Sequence, residues 1–192
     1  MSYAAPMMLP VLAFAGSLRK GSFNRKLCVL AVAQARVLGA EVDHLDLAEV
    51  TMPLYDGDLE AASGLPAGAL ELRRRVTGAR VILLASPEYN TSIPGVLKNA
   101  IDWSSRPPTQ VWLGKVVLLL AASPGMAGGG RMLPDLRKVL SALGAVVLPQ
   151  QVSVAKAHEA FAENGQLKLE TLAKDLEKGV AEALRVGERL VG

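Results

Sequence analysis

The chain has 192 residues, the length of one domain with a substantial core. It is 51% hydrophobic with a formal net charge of +3, a balance too mild to argue for a nucleic-acid partner. No apolar run approaches the roughly 18 residues a membrane span needs, and the single cysteine, Cys28, excludes an internal disulfide and fits a reducing cytoplasm.

In chain order, short β-like runs alternate with longer helical segments. The opening MMLPVLAFA ends in Ala13-Phe14-Ala15, which mimics a signal-peptide cleavage site. No Lys or Arg precedes it, so the run is read instead as a first strand, Leu9–Ala15. A helix is predicted at Asn24–Leu38, a strand at Glu41–Leu47, a long loop at Ala48–Pro66 and a helix at Ala67–Thr77. The basic cluster Arg73 to Arg75 falls in that helix and reads as a solvated face. Then come a strand at Arg80–Ser86, a helix at Pro94–Ser104 with proline in its first turn, and the apolar strand Lys115–Ala122. A helix at Gly129–Leu143, a strand at Ala145–Pro149, a loop at Gln150–Leu167 and a last helix at Leu169–Leu190 complete the pattern. Gly39 and Gly144 stand where helix C-caps belong. Strands that are apolar on both faces and alternate with helices predict a parallel α/β sheet wrapped on both sides, spanning 1–192 as one domain.

In such a sheet a ligand binds beyond the carboxyl ends of the strands, where strand order reverses. Three loops with distinctive chemistry leave those ends: GSLRKGSFN, SPEYNTSIPG and SPGMAGGGR. The first joins a strand to a helix N-terminus, whose free N–H groups favour an anion. Ser17, Ser22 and Asn24 add neutral donors there, and Arg19 adds a charged fork suited to phosphate. The ordinary alternative, a helix cap made by Ser22 or Asn24, accounts for one polar group but not for all four. The spacing Gly16-x-x-x-x-Gly21 is half of a nucleotide-triphosphate loop, but Ser22-Phe23 stands where Lys-Ser/Thr belongs. The G-x-G-x-x-G dinucleotide fingerprint is also missing, although Asp46 ends the second strand. A terminal phosphomonoester such as that of FMN remains.

Ser17-x-Arg19-x-x-Ser22-x-Asn24 resembles the phosphate loop of the NADPH-dependent FMN reductase family. Pro53-Leu54-Tyr55-Asp56-Gly57-Asp58 is similar to that family too. So is Ser86-Pro87-Glu88-Tyr89-Asn90, running into Ile93 to Trp103. The likeness extends over about residues 9 to 150, and Ile101 to Arg106 most resembles the bacterial quinone, chromate and ferric reductase branch. It implies a flavodoxin-like three-layer sandwich with sheet order 2-1-3-4-5. The implied bound cofactor is FMN and the implied co-substrate NADPH or NADH. FMN would contact Ser17, Arg19, Ser22, Phe23 and Asn24 through its phosphate region. Its ring would lie along Pro87, Glu88, Tyr89 and Asn90, and beside Ser123, Pro124 and Gly125. The N–H groups opening the helix after Gly128 to Gly130 would face negative charge on the ring, unless those glycines form only a flexible turn. Hydride would pass from the nicotinamide to the flavin, then electrons to a quinone, azo compound, chromate or ferric chelate. No catalytic side chain is required, because the flavin carries the chemistry.

Tyr89 and Arg106 are candidate substrate-binding residues. The resemblance places the neighbours of Arg106 at a subunit interface beside the flavin, so Arg106 is expected to reach the active site of a partner subunit in a homodimer or tetramer; the alternative is a solvated surface arginine. Trp103, Pro107, Pro108, Val111 and Trp112 are read as a semi-exposed apolar stretch at that contact, against simple loop packing. Cys28 is read as core, and no spaced Cys/His/carboxylate set suggests a metal. A mildly basic chain with only 4% aromatic residues argues for an open ring face and an enzyme. A non-catalytic flavodoxin-like electron carrier and a flavin-free regulatory module remain as alternatives.

Overall fold

A computed structural model describes residues 9–190. The first residues of MMLPVLAFA lie outside that range, but its remainder forms strand β1, Pro10–Ala15. The chain continues as α1 Phe23–Val37, β2 Glu41–Leu45, a 3-10 turn Leu47–Glu49, α2 Gly57–Ser63 and α3 Ala67–Gly78. Then follow β3 Val81–Ala85, α4 Gly95–Ser104, β4 Val116–Ala122 and α5 Met132–Ala142. The chain closes with β5 Val146–Val154, α6 Ala157–Ala160 and α7 Glu170–Arg189. All strand pairs are parallel, in the order β2-β1-β3-β4-β5.

The period-2 alternation of the strands decides which layer each side chain enters. Ala13, Leu83 and Leu118 face α1 and α7, while Leu12, Phe14, Ile82 and Leu119 face α3, α4 and α5. Both layers are apolar, so β1, β3 and β4 are buried on both faces. Burying each such Leu or Phe stabilises the fold by roughly 1.5–3 kcal/mol. The edge strand β2 carries polar residues and is largely exposed. α1 and α5 both end in a Schellman arrangement. Gly39 N–H donates to Arg36 and Ala40 N–H to Ala35, and Gly144 and Ala145 repeat the pattern on Ser141 and Leu140. Gly39 and Gly144 have φ of +85° and +82°, which those two positions require.

Four expectations are corrected. The segment read as the loop Ala48–Pro66 contains α2. That helix buries no residue, so it has no apolar stripe to read; Asp56 starts it by accepting the N–H groups of Asp58 and Leu59. β5 does not stop at Pro149 but continues to Val154. The proline breaks the ladder between the pairs Val117–Val147 and Leu119–Gln151, a gap tolerated because β5 is an edge strand. Trp103 and Trp112 are fully buried rather than semi-exposed; their indole N–H groups donate to the Pro53 carbonyl and the Ser104 hydroxyl. Loop packing therefore accounts for them. The arginine cluster is not a solvated face: only Arg74 is exposed. Arg73 donates to the carbonyls of Ser104, Arg106 and Thr109, and Arg75 joins Glu71 and Asp43. Among the described residues no helix is long and apolar enough to cross a membrane.

Candidate functional site

The carboxyl ends of β1, β3, β4 and β5 are tied together just past the strands. Gly16 N–H donates to Ala85, Ser86 N–H to Leu120 and Ser123 N–H to Val154. The three loops predicted to share a site therefore leave one rigid edge. Gly16 is needed there, since a Cβ at that position would come within 2.7 Å of the Leu97 side chain on α4.

The loops enclose a cleft of about 210 Å³. Ser17, Arg19, Ser22, Phe23, Asn24, Pro87, Glu88, Tyr89, Ser123 and Pro124 line it, with Ala122, which the sequence reading did not single out. Asn90 and Gly125 are not among its walls. Within the first loop the polar side chains have separate tasks. Ser22 is the N-cap of α1 and accepts the Asn24 N–H at 3.2 Å, leaving its own O–H free to donate. Ser17 is buried to 2% exposure. Arg19 is exposed and lies 5.7 Å from the centroid of the Phe23 ring. Among the described residues no carboxylate pairs with Arg19, and none of the N–H groups of Ser17 to Gly21 enters a backbone hydrogen bond. No acidic residue occupies the first turn of α1. The loop thus presents donors, the two cations Arg19 and Lys20 and a helix N-terminus, with no anion of its own.

Asn24 lines the cleft and is also committed to the backbone. Its amide exchanges two hydrogen bonds with the backbone of Ala122, both 2.8 Å. It locks the first turn of α1 to the end of β4 and, at 2% exposure, holds the cleft's floor. Glu88 is likewise committed. Its side chain is only 7% exposed, and its carboxylate accepts the N–H groups of Arg131 and Met132 while pairing with the Arg131 guanidinium. The start of α5, expected to face the ring, is already capped by this carboxylate. α5 also begins at Met132 rather than Gly129. Gly128 and Gly129, at φ +58° and +89°, pack too closely against Ser153 and Ala121 to carry a Cβ, so they serve chain packing.

Tyr89 to Ser92 form a tight reversal in which Tyr89 and Ser92 exchange both backbone hydrogen bonds at 3.1 Å. Asn90 and Thr91 occupy φ of 49° and 67°, the combination a type I′ turn demands. A β-branched residue is costly there, by about 1–3 kcal/mol. The Ser92 hydroxyl donates to Asp135 on α5 at 2.6 Å, which fixes the far end of the turn. Arg131 and Asp135, missed by sequence reading, brace this loop; their partners are 43 residues away and leave no local signal. Tyr89 stands at the lip, 51% exposed.

Arg106 is not brought to this cleft. It follows the end of α4 opposite Pro94, pairs with Glu60 of α2 at 3.0 Å and lies 5.2 Å over the Tyr55 ring. Asp46 is also committed elsewhere. Burial opposes its ionisation, but the Ala48 N–H and the Arg25 guanidinium together hold its carboxyl below the usual range.

A profile of the NADPH-dependent FMN reductase family matches residues 9–159. The chain belongs to that family. Within it, an NAD(P)H-dependent FMN reductase of Pseudomonas aeruginosa is 38% identical over 183 residues, 94% of this chain and 96% of that protein. A quinone reductase of Escherichia coli is 40% identical over 141 residues, 73% of each chain. Among solved structures, FerB of Paracoccus denitrificans, a flavoenzyme NAD(P)H:(acceptor) oxidoreductase, superposes with a TM-score of 0.81. It is 33% identical and covers 95% of this chain and 98% of its own. This family member is accordingly an oxidoreductase of flavodoxin-like fold that uses FMN and NAD(P)H. The loop fits the phosphate of that cofactor: hydroxyls, free N–H groups and an unpaired guanidinium suit a dianion that brings no counterion.

Proposed function

We propose that the chain acts as one FMN-binding unit that transfers reducing equivalents from NAD(P)H to a quinone-type small-molecule acceptor. The FMN phosphate would be held by Ser17, Arg19, Ser22 and the start of α1, with Phe23 and Asn24 shaping that pocket. The ring would lie along Pro87 to Asn90 and beside Ser123 to Gly125. When bound, FMN would supply the hydride-accepting and electron-delivering chemistry. The residues of the chain orient it: Asn24 fixes the phosphate loop to β4, and Glu88 with Ser92 fixes the second loop to α5. Tyr89 at the lip would meet a flat acceptor or a nicotinamide. The observation that carries this reading is the convergence of three donor-rich loops on one cleft, with Arg19 left unpaired at its mouth. The quinone-type acceptor is supported by the quinone reductase relatives.

The test is an absorbance spectrum of purified protein with FMN, followed by anaerobic titration with NADPH and NADH and then addition of a benzoquinone. Bleaching of the bound flavin by either nicotinamide, reversed by quinone, is the expected result. A protein that stays colourless after FMN addition would sink the reading. Slow bleaching with a stable one-electron form would mark an electron carrier instead.

Self-association as a homodimer or tetramer, with Arg106 reaching a partner's acceptor site, belongs to the same proposal. Its support is the exposed apolar residues Leu54, Tyr55 and Leu59, on the segment that Arg106 contacts through Tyr55 and Glu60.

A further inference from the structure

The order of the sheet sets the order of loops along its carboxyl edge: β1, β3, β4, then β5. The first three build the cleft. Beyond them, between the loop after β4, the end of β5 and the start of α7, lies a second cavity of about 470 Å³. That volume is in the range of small-molecule sites. Met126, 76% exposed, and Leu169 and Leu172 give it an apolar wall. Lys156 and Lys168 stand on its rim, and among the described ion pairs neither meets a carboxylate. Glu159 also lines it but lies 3.1 Å from His158.

One short wall separates the two cavities. Ser123 and Pro124 face the cleft, and Met126 faces the second cavity. The wall is braced: Lys156 N–H donates to Gly125 at 3.2 Å and Ala157 N–H to Ser123 at 3.0 Å. On the other flank of the cleft, a cavity of about 260 Å³ carries Asp46 and Glu49, and its one arginine, Arg25, is committed to Asp46. Glu49 in turn meets Arg75 at 3.8 Å, so a phosphate finds no free cation there, whereas the second cavity offers two lysines.

A cleft of about 210 Å³ is too small to enclose a flavin and a dinucleotide together, so the rest of the co-substrate must lie outside it. We propose that the second cavity receives the adenosine-phosphate end of the nicotinamide co-substrate, with the adenine against Met126, Leu169 and Leu172 and its phosphates on Lys156 and Lys168. This rests on the reading above, since the nicotinamide must meet the flavin in the adjoining cleft. The loop after β4 then acts as the saddle across which the co-substrate lies, and the two lysines favour NADPH, the more highly charged form.

The experiment uses the FMN-loaded protein and K156Q/K168Q, both exposed positions where glutamine removes the charge and keeps a polar side chain. The KM for NADPH should rise by about tenfold, the scale of a lost hydrogen bond to a charged group. The kcat at saturation and the FMN content should stay unchanged, the signature of lost uniform binding. K156R/K168R should restore the wild-type KM. The probe 2′,5′-ADP should compete with NADPH in the wild type and bind more weakly to K156Q/K168Q by calorimetry. Unchanged KM and unchanged 2′,5′-ADP binding would overturn the proposal. So would a change of molecular mass without a change of KM, which would make the cavity a contact between copies. If the wild type binds 2′,5′-ADP through these lysines yet oxidises no NADPH, the cavity stands and the reductase reading falls.

Discussion

Arg19 stands at the mouth of the cleft with its charge unspent, whereas nearby Arg25 is tied to Asp46. That contrast makes Arg19 the residue whose loss should be felt by FMN and by little else. Arg19→Ala should weaken FMN binding by about 1.5–3 kcal/mol, the range for hydrogen bonds to charged groups. Riboflavin, which lacks the phosphate, should bind the variant as well as it binds the wild type. Equal losses for both flavins in fluorescence titrations would remove Arg19 from the phosphate site. Cys28 is the opposite case, a reactive atom type made inert. Burial in the layer beneath α1 pushes its thiol from an ordinary 9.0 up to about 12, against a smaller opposing pull from Arg25. The folded protein keeps this proton where the unfolded chain releases it. Stability from this group is therefore intact below pH 9.0 and declines as pH rises toward about 12. Cys28→Ala should flatten that alkaline decline in denaturation curves, and native Cys28 should resist thiol reagents at pH 8 until the protein unfolds. Labelling at the rate of a free thiol would show that the layer opens.

Between elements, the site is a set of side-chain ties rather than a set of loops. Asn24 joins α1 to β4, Glu88 joins the loop after β3 to α5, and Ser92 joins the same loop to Asp135. Each tie satisfies backbone or carboxylate groups that would otherwise be left unpaired near the cleft. Asn24→Ala leaves the Ala122 N–H and C=O without partners in a buried place and should cost about 1–3 kcal/mol of stability. It should weaken FMN and riboflavin together, because it loosens the floor and not a phosphate contact. Thermal melts with and without each flavin measure both effects. A loss confined to FMN would mean that Asn24 contacts the phosphate after all.

For the whole molecule, Arg106 separates two arrangements. Within the chain it fastens α2 to the end of α4 through Glu60 and Tyr55. Across an assembly it would supply a cation to a neighbour's site. Arg106→Ala should raise the KM for an anionic acceptor while FMN content stays full, and sedimentation should show an assembly of two or four chains. Unchanged kinetics, or a monomer with full activity, would confine Arg106 to its intrachain tie.

The sequence by itself determined the alternation of strands and helices, the two glycine C-caps, and the loops that gather at one edge. Those features are local: period-2 apolar runs, helix-period stripes and glycine where φ is positive are written within a few residues of where they act. The family likeness was legible for the same reason, since its motifs are contiguous. Only the tertiary structure decided what individual polar residues in those motifs do. Asn24 and Glu88 turned toward Ala122 and Arg131, 98 and 43 residues away, because buried polar groups take whichever partner the packing brings within reach. α2 was invisible because it buries nothing, and β5 looked finished at Pro149 because a proline interrupts a ladder that an edge strand can resume. The fate of Trp103 and Trp112 was set the same way, by the layer of α3, α4 and the Pro53 segment closing over them. Chain neighbours could not show that burial, because it is made by residues distant in sequence.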